Sequence, residues 1–72
     1  MIKVEFINVG SNNKNWTATL ASLTHSALYA QVKGQSAVMS RGVEFEYDSA
    51  TNSGEIVVGG MRTVGHFRVV SP

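Results

Sequence analysis

The sequence predicts one small domain of the α+β class, in which a single helix packs on a mostly antiparallel sheet. Two observations support this prediction. Residues 16–33 contain neither glycine nor proline and carry apolar side chains at helical spacing. Apolar and charged residues alternate at the N-terminus and again over residues 43–70, as they do in strands that bury one face. The predicted element order is β-α-β-β-β, and a small all-β barrel is the alternative.

The chain has 72 residues and no cysteine. A body of this size buries a limited share of its surface, so natural chains of this length commonly gain stability from disulfides, a metal or a partner subunit. The lack of cysteine removes disulfides and thiolate zinc sites. We therefore expect a single domain over residues 1–72 that forms a homo-oligomer.

The charge balance argues against a general polyanion binder. Six Lys and Arg residues against five Asp and Glu residues give a formal net charge of +1, a field too weak to hold nucleic acid without specific contacts. Charged residues interrupt the apolar positions of Met1–Phe6, so this segment lacks the apolar core of a signal peptide. No apolar run reaches the length of a membrane span. We expect a cytoplasmic protein with no membrane partner.

The first predicted strand alternates apolar side chains with Lys3 and Glu5 and ends near Val9. The next segment, residues 10–15, consists of turn formers and predicts a loop. It ends on Asn15, a residue type suited to cap a helix.

The predicted helix runs from Trp16 to Lys33, and Gly34 stands where a helix would end. Its apolar stripe comprises Trp16, Leu20, Leu23, Ala27 and Ala30. Residues 16–20 and 28–32 also alternate, so a β-hairpin is the alternative. We favour the helix because residues 22–26 lack the glycine, asparagine or proline that tight hairpins need.

The second half of the chain reads as sheet, since β-branched and aromatic residues dominate and five of the seven glycines lie between Gly42 and Gly65. Strands are predicted at 43–48, 55–58 and 61–70, with a short strand or connector at 37–40 and a hairpin loop at 49–54. Gly59 and Gly60 mark a turn or bulge, and Gly65 marks a bulge or a close backbone approach.

Alternation in these strands predicts an apolar face and an ionic face. The residues predicted to point inward are Val43, Phe45, Tyr47, Thr63, Phe67 and Val69. The residues predicted to point outward are Glu44, Glu46, Asp48, Arg62, His66 and Arg68. Opposite charges on one outer face can pair across strands, and a solvated face of this kind is the plainer interpretation.

A candidate anion site lies on that outer face. Arg62, His66 and Arg68 form a predicted row of donors, and the planar guanidinium group binds a phosphate or carboxylate through two contacts. Gly59 and Gly60, just before the row, would add backbone N–H groups. The ligand would be a nucleotide or a nucleic acid.

A candidate interface lies on the predicted helix. Ala21, Leu28, Tyr29 and Val32 fall away from the stripe of Trp16, and a helix that is apolar beyond one stripe usually has a second contact. We expect this patch to contact a second copy of the chain or another protein.

Catalytic and metal signatures are lacking. Neither His25 nor His66 lies in a motif that presents a serine nucleophile, and the two histidines do not have the spacing of metal ligands. We therefore predict no enzyme, no catalytic residues, no metal and no cofactor. The expected function is a non-enzymatic binding module that occupies a macromolecular partner, as a small accessory or inhibitor protein of a bacterium or phage would. The alternative is a binder of a small anionic ligand or of nucleic acid.

Overall fold

The computed structural model describes residues 1–35, 42–59 and 62–71. In chain order, the elements are β1 (Ile2–Val9), β2 (Lys14–Leu20), α1 (His25–Gly34), β3 (Val43–Asp48), β4 (Ser53–Val58) and β5 (Arg62–Ser71). The five strands form one antiparallel sheet in the spatial order β2-β1-β5-β4-β3.

The predicted α+β class is confirmed, because a single helix packs on an antiparallel sheet. The predicted order of strand, helix and three further strands is present with one strand added, β2, between β1 and the helix. Over the described ranges the sheet has β2 and β3 as its edges, so it is open and the barrel alternative is wrong. No helix in these ranges is long and apolar enough to cross a membrane.

The predicted helix was wrong in its first half. Residues Lys14–Leu20 form β2, in which Trp16 pairs with Phe6 of β1 and Leu20 pairs with Ile2. The β-branched residues that alternate with the apolar ones favour a strand, and the adjacent β1 supplies the hydrogen-bonding partner. The hairpin therefore forms with the preceding strand rather than within residues 16–33.

The turn between β1 and β2 uses the predicted turn formers. Asn8, Gly10 and Asn13 adopt positive φ angles of 51°, 77° and 50°, which asparagine and glycine tolerate best. The side-chain oxygen of Asn15 accepts a hydrogen bond from the backbone N–H of Asn8 at 3.1 Å. The expectation that Asn15 caps a helix was therefore wrong, because it closes this turn instead.

Helix α1 begins after Thr24, whose hydroxyl oxygen accepts a hydrogen bond from the N–H of Ala27 at 3.2 Å. It ends at Gly34, where the sequence predicted its end. Leu28 and Val32, one helical turn apart, are its buried residues, whereas Ala30 of the predicted stripe is exposed. The later start of the helix changes which of its side chains face the sheet.

The second half confirms the predicted strands β3, β4 and β5 with small shifts. The loop between β3 and β4 is shorter than predicted, since β4 already begins at Ser53. Asn52 turns the chain with a φ of 54°. The predicted short strand or connector at 37–40, and Gly60, lie outside the described residues.

The hydrophobic core lies between α1 and the inner face of the sheet, which we define as the face toward the helix. Its buried members are Val4, Phe6, Val9, Leu20, Leu28, Val32, Val43, Ile56 and Phe67. One row of paired residues crosses all five strands on this face: Trp16, Phe6, Phe67, Gly54 and Tyr47.

Aromatic stacking orders this row. The rings of Phe6 and Trp16 stack with centroids 4.6 Å apart, and those of Phe67 and Tyr47 stack at 6.1 Å. Gly54 lies beneath the ring of Phe67, because a Cβ atom at this position would lie 2.4 Å from the Phe67 Cζ atom. The row therefore depends on the missing side chain of a glycine.

The predicted division of the sheet into an apolar face and an ionic face is confirmed at four positions. Phe67 is fully buried and Phe45 is half-buried, whereas Glu44 and Arg68 are exposed. Tyr47 occupies an inner position beside Phe67, yet 41% of it remains exposed because it lies on the edge strand β3. The opposite surface of the sheet, which we call the outer face, carries the ionic residues.

Candidate functional site

The outer face collects the negative charge of the protein. The strand register places all five acidic residues of the chain on this face: Glu5, Glu44, Glu46, Asp48 and Glu55. Among the described residues, Lys3 and Arg68 are the cations that share it, so the described residues of this face carry a formal charge of −3 when His66 is neutral. The other described cations, Lys14, Lys33 and Arg62, lie on the helix side.

Two rows of paired residues cross the outer face. The first row is Glu46, Glu55, His66 and Ile7, and the second is Asp48, Ser53, Arg68, Glu5 and Thr17. A groove of about 580 Å³ runs over both rows and is lined by most of these side chains. The groove thus combines the carboxylates of Glu46, Asp48 and Glu55 with one imidazole, one guanidinium group and apolar side chains.

Most of these carboxylates have no cationic partner among the described residues. Arg68 pairs with Glu5, with its Nη2 atom 2.7 Å from the Glu5 Oε1 atom, and this is the only ion pair in the described parts of the chain. The hydroxyl of Thr63 donates a hydrogen bond to the Glu55 Oε1 atom at 3.0 Å. Glu44 and Glu46 on β3 are exposed, and neither forms an ion pair with another described residue.

The predicted row of Arg62, His66 and Arg68 is not formed. A bulge in β5 shifts the register, so that Val57 pairs with Thr63 while Ile56 pairs with Gly65. Because one extra residue reverses the alternation, Arg62 lies on the inner side and Thr63 lies on the outer face with His66. The predictions that Arg62 points outward and Thr63 inward were therefore wrong.

The bulge in β5 contacts the end of β1 and the turn that follows it. The N–H of Gly10 donates a hydrogen bond to the carbonyl oxygen of Val64 at 2.8 Å. A Cβ atom at Gly65 would lie 2.9 Å from the Cα atom of Val9, so the two strands approach closely there. The prediction that Gly65 marks a bulge or a close approach is confirmed on both counts.

The backbone N–H of Gly59, another part of the predicted anion site, is already hydrogen-bonded. Gly59 adopts a φ of 65° in the turn after β4, but its N–H donates to the carbonyl oxygen of Gly42 at 3.2 Å. Gly60 lies outside the described residues. From the predicted site, His66 and Arg68 line the groove of the outer face beside carboxylates that repel anions, whereas Arg62 lines a second, smaller pocket that it shares with His66.

The predicted interface on the helix was wrong for its two central members. Leu28 is 3% exposed and Val32 is fully buried, and both belong to the core of their own chain. Ala21 is exposed before the helix begins, and Tyr29 is half-buried with its ring stacked on His25 at 6.1 Å. The four residues do not form a continuous exposed patch, because α1 uses its apolar residues to cover the sheet.

His25 has a structural role between α1 and β3. Its Nε2 atom lies 3.0 Å from the carbonyl oxygen of Val43, within hydrogen-bond distance, and its ring meets Phe45 edge-on at 5.2 Å. No sequence pattern predicts this contact, since only the fold brings residues 25 and 43 together.

Within the described ranges, no three His, Asp or Glu side chains are arranged to hold a metal ion. Comparisons with protein-family models, with curated proteins and with solved structures find no match to the chain. Function is therefore argued from the geometry of the outer face. Sequence reasoning placed Glu44, Glu46 and Asp48 there, but it missed that Glu5 and Glu55 join them, which depends on the strand order.

Proposed function

We propose that the chain is a non-enzymatic binding module that self-associates and whose outer face binds a basic segment of a protein partner. The observation that supports this proposal most is the segregation of charge: the outer face has all five carboxylates, while three of the described cations lie on the helix side. A face with a surplus of negative charge attracts cationic surfaces and repels polyanions.

The spacing of the carboxylates fits an extended basic peptide. Glu44, Glu46 and Asp48 alternate on one strand, so neighbouring carboxylates are separated by about 6.6 Å along it. An extended segment with Arg or Lys at every second position repeats at the same interval. Arginine suits the site best because its guanidinium group makes two hydrogen bonds to one carboxylate.

The expected affinity is moderate and sensitive to salt. Each exposed ion pair contributes about 0–1 kcal/mol, and charges more than about 10 Å apart are screened at 0.1 M salt. Charge complementarity therefore acts mainly on the rate of association and on the choice of partner. Occupancy of the partner, rather than chemistry, is the proposed mode of action.

The alternative from the sequence, a binder of nucleotides or nucleic acid, has weaker support. Arg62 and Arg68, the two arginines predicted to bind the anion, lie on opposite faces of the sheet, and Arg68 already pairs with Glu5. The test of the proposal includes this alternative as an outcome.

The experiment measures binding of three fluorescent probes by anisotropy at 50 mM and 500 mM NaCl. The probes are a nine-residue peptide in which Arg and Ser alternate, the matching Glu and Ser peptide, and a single-stranded oligonucleotide. We expect binding of the Arg peptide alone, with loss at high salt. Glu46→Lys combined with Asp48→Lys should weaken it at least tenfold, whereas the control Lys33→Gln on the helix should leave it unchanged. Preferential binding of the oligonucleotide, or equal binding by the Glu46 and Asp48 variant, would refute the proposal.

A further inference from the structure

The two edges of the sheet differ in their protection against pairing. β3, at one edge, carries Glu44, Glu46 and Asp48 at alternate positions. β2, at the other edge, has no charged residue from Asn15 to Leu20 and no proline. Charged side chains on an edge strand resist pairing with another strand, whereas an uncharged edge presents free N–H and C=O groups as a template.

We propose that β2 pairs with β2 of a second copy in an antiparallel arrangement, which joins the two sheets across a two-fold axis. The inference deepens the self-association in the proposed function and is independent of binding at the outer face. Among the described residues β2 pairs with β1 alone, so no described strand hydrogen-bonds to the other side of its backbone. The occupant is a second copy of this chain.

The sequence of β2 complements itself in this arrangement. A register centred on Thr17 places Thr17 opposite its copy, Trp16 opposite Ala18 and Asn15 opposite Thr19. Pairs of threonines across strands are favourable, and no like charges face each other. The two Lys14 side chains lie at opposite ends of the ribbon, about 20 Å apart and beyond the screening distance.

The same arrangement at the other edge would be unfavourable. Pairing of β3 with its copy would bring six carboxylates into one short ribbon, three from each chain. Like charges at neighbouring cross-strand positions are destabilising. The charge distribution therefore directs self-association to β2 and leaves the carboxylates of β3 free.

The dimer also fits the size of the protein. A chain of 72 residues builds a small core, whose buried apolar members apart from Val57 belong to one cluster around Phe6 and Phe67. A partner subunit adds buried surface that a single copy of this size lacks. In the dimer, backbone N–H and C=O groups of β2 in both copies would also form hydrogen bonds with each other.

The test uses a substitution that favours the monomer fold and opposes the dimer. In the monomer Thr17 pairs with Glu5 of β1, so Thr17→Lys adds a favourable cross-strand pair and the fold should persist. In the dimer the two introduced ammonium groups would lie at adjacent positions near the two-fold axis. The matched control is Thr51→Lys, the same chemical change in the exposed loop between β3 and β4.

Sedimentation velocity at 5–200 μM then gives the oligomeric state, and circular dichroism checks the fold. We expect a dimer of the 7.7 kDa chain for the natural sequence and for Thr51→Lys, and a dissociation constant raised at least tenfold for Thr17→Lys. A monomer at every concentration, or a dimer unaffected by Thr17→Lys, would overturn the inference. A monomer at every concentration would also remove the self-association in the proposed function, whereas a dimer unaffected by Thr17→Lys would leave it in place and remove only the contact through β2. Neither outcome changes the peptide-binding result.

Discussion

Substitution of Gly54 by alanine should strongly destabilise the fold. A Cβ atom at this position would lie 2.2 Å from the backbone oxygen of Glu46 and 2.4 Å from the Phe67 Cζ atom. Ordinary contact begins near 3.4 Å, so the ring of Phe67 would have to move by about 1 Å and the backbone of β3 by slightly more. Phe67 is fully buried in the core, and the oxygen belongs to a paired strand, so neither neighbour can rotate away.

The size of the expected loss in free energy of unfolding follows from these two clashes. Forcing extra volume into a packed core costs about 1–3 kcal/mol, and complete loss of a buried phenylalanine contact costs about 3–5 kcal/mol. Because Gly54→Ala displaces both a core ring and a backbone atom, we expect a loss of about 3 kcal/mol. For a chain of this length that corresponds to a fall in Tm of about 12–24 °C.

Urea denaturation followed by the emission of Trp16, the only tryptophan, measures the effect. Its ring stacks on Phe6 in the same row, so its environment changes on unfolding. The control is Gly34→Ala, since a Cβ atom there meets no atom within 4 Å and alanine favours a helix by up to about 1 kcal/mol. A free energy of unfolding for Gly54→Ala within about 0.5 kcal/mol of the natural sequence would refute the steric reasoning.

A double-mutant cycle checks the mechanism of this loss. In the Phe67→Ala background the ring clash no longer exists, so Gly54→Ala should cost at least about 1 kcal/mol less than it does alone. Additive effects would assign the whole cost to the clash with the backbone oxygen of Glu46.

Three further predictions concern the helix and the outer face. Leu28→Asp places an unpaired charge in the core, so we expect the protein to lose its cooperative unfolding transition in calorimetry and not to remain a folded monomer. A native-like transition would contradict the position of α1. Thr24→Ala removes the hydroxyl that caps α1 and should lower the free energy of unfolding by about 1 kcal/mol in urea titrations. The control is Ser26→Ala, which removes a hydroxyl that is not the cap. Equal effects of the two substitutions would argue against the cap. The double-mutant cycle of Glu5→Gln and Arg68→Gln should give a coupling free energy of at most about 1 kcal/mol, because both side chains are exposed. This coupling should fall in 0.5 M NaCl. A larger coupling would mean that the pair is buried.

Local patterns were sufficient where one face of an element is buried and the other is charged. The alternation around Glu5 and around Glu44 predicted β1 and β3, and the burial of Phe67 follows the same rule. The helical end at Gly34 also follows from local propensity. These features needed no knowledge of the strand order.

Long-range pairing decided the features that the sequence left ambiguous. Residues 16–20 fit a helix and a strand alike, and the availability of β1 as a partner selects the strand. At the other end, the bulge at Val64 reverses the faces of Arg62 and Thr63. A bulge adds one residue without changing composition, so the alternating pattern alone assigns these two side chains to the wrong faces.

The candidate site depended on the same non-local information. Each carboxylate could be assigned to a strand face, but their collection on one surface requires β1 to lie beside β5. That arrangement gives Arg68 the partner Glu5 and leaves the acidic residues of β3 unpaired within the described ranges. Two residues of the site predicted to attract anions, His66 and Arg68, lie in the structure on a face whose described residues carry a net negative charge.

Mapping of the bound peptide on the protein tests the proposed function most directly. Two-dimensional ¹H–¹⁵N spectra of the labelled protein would be recorded during titration with the alternating Arg and Ser peptide. The account predicts amide shift changes along the row of Glu46, Glu55 and His66, with the amides of Leu28 and Val32 unchanged. Shift changes confined to α1, or none at millimolar peptide, would contradict it.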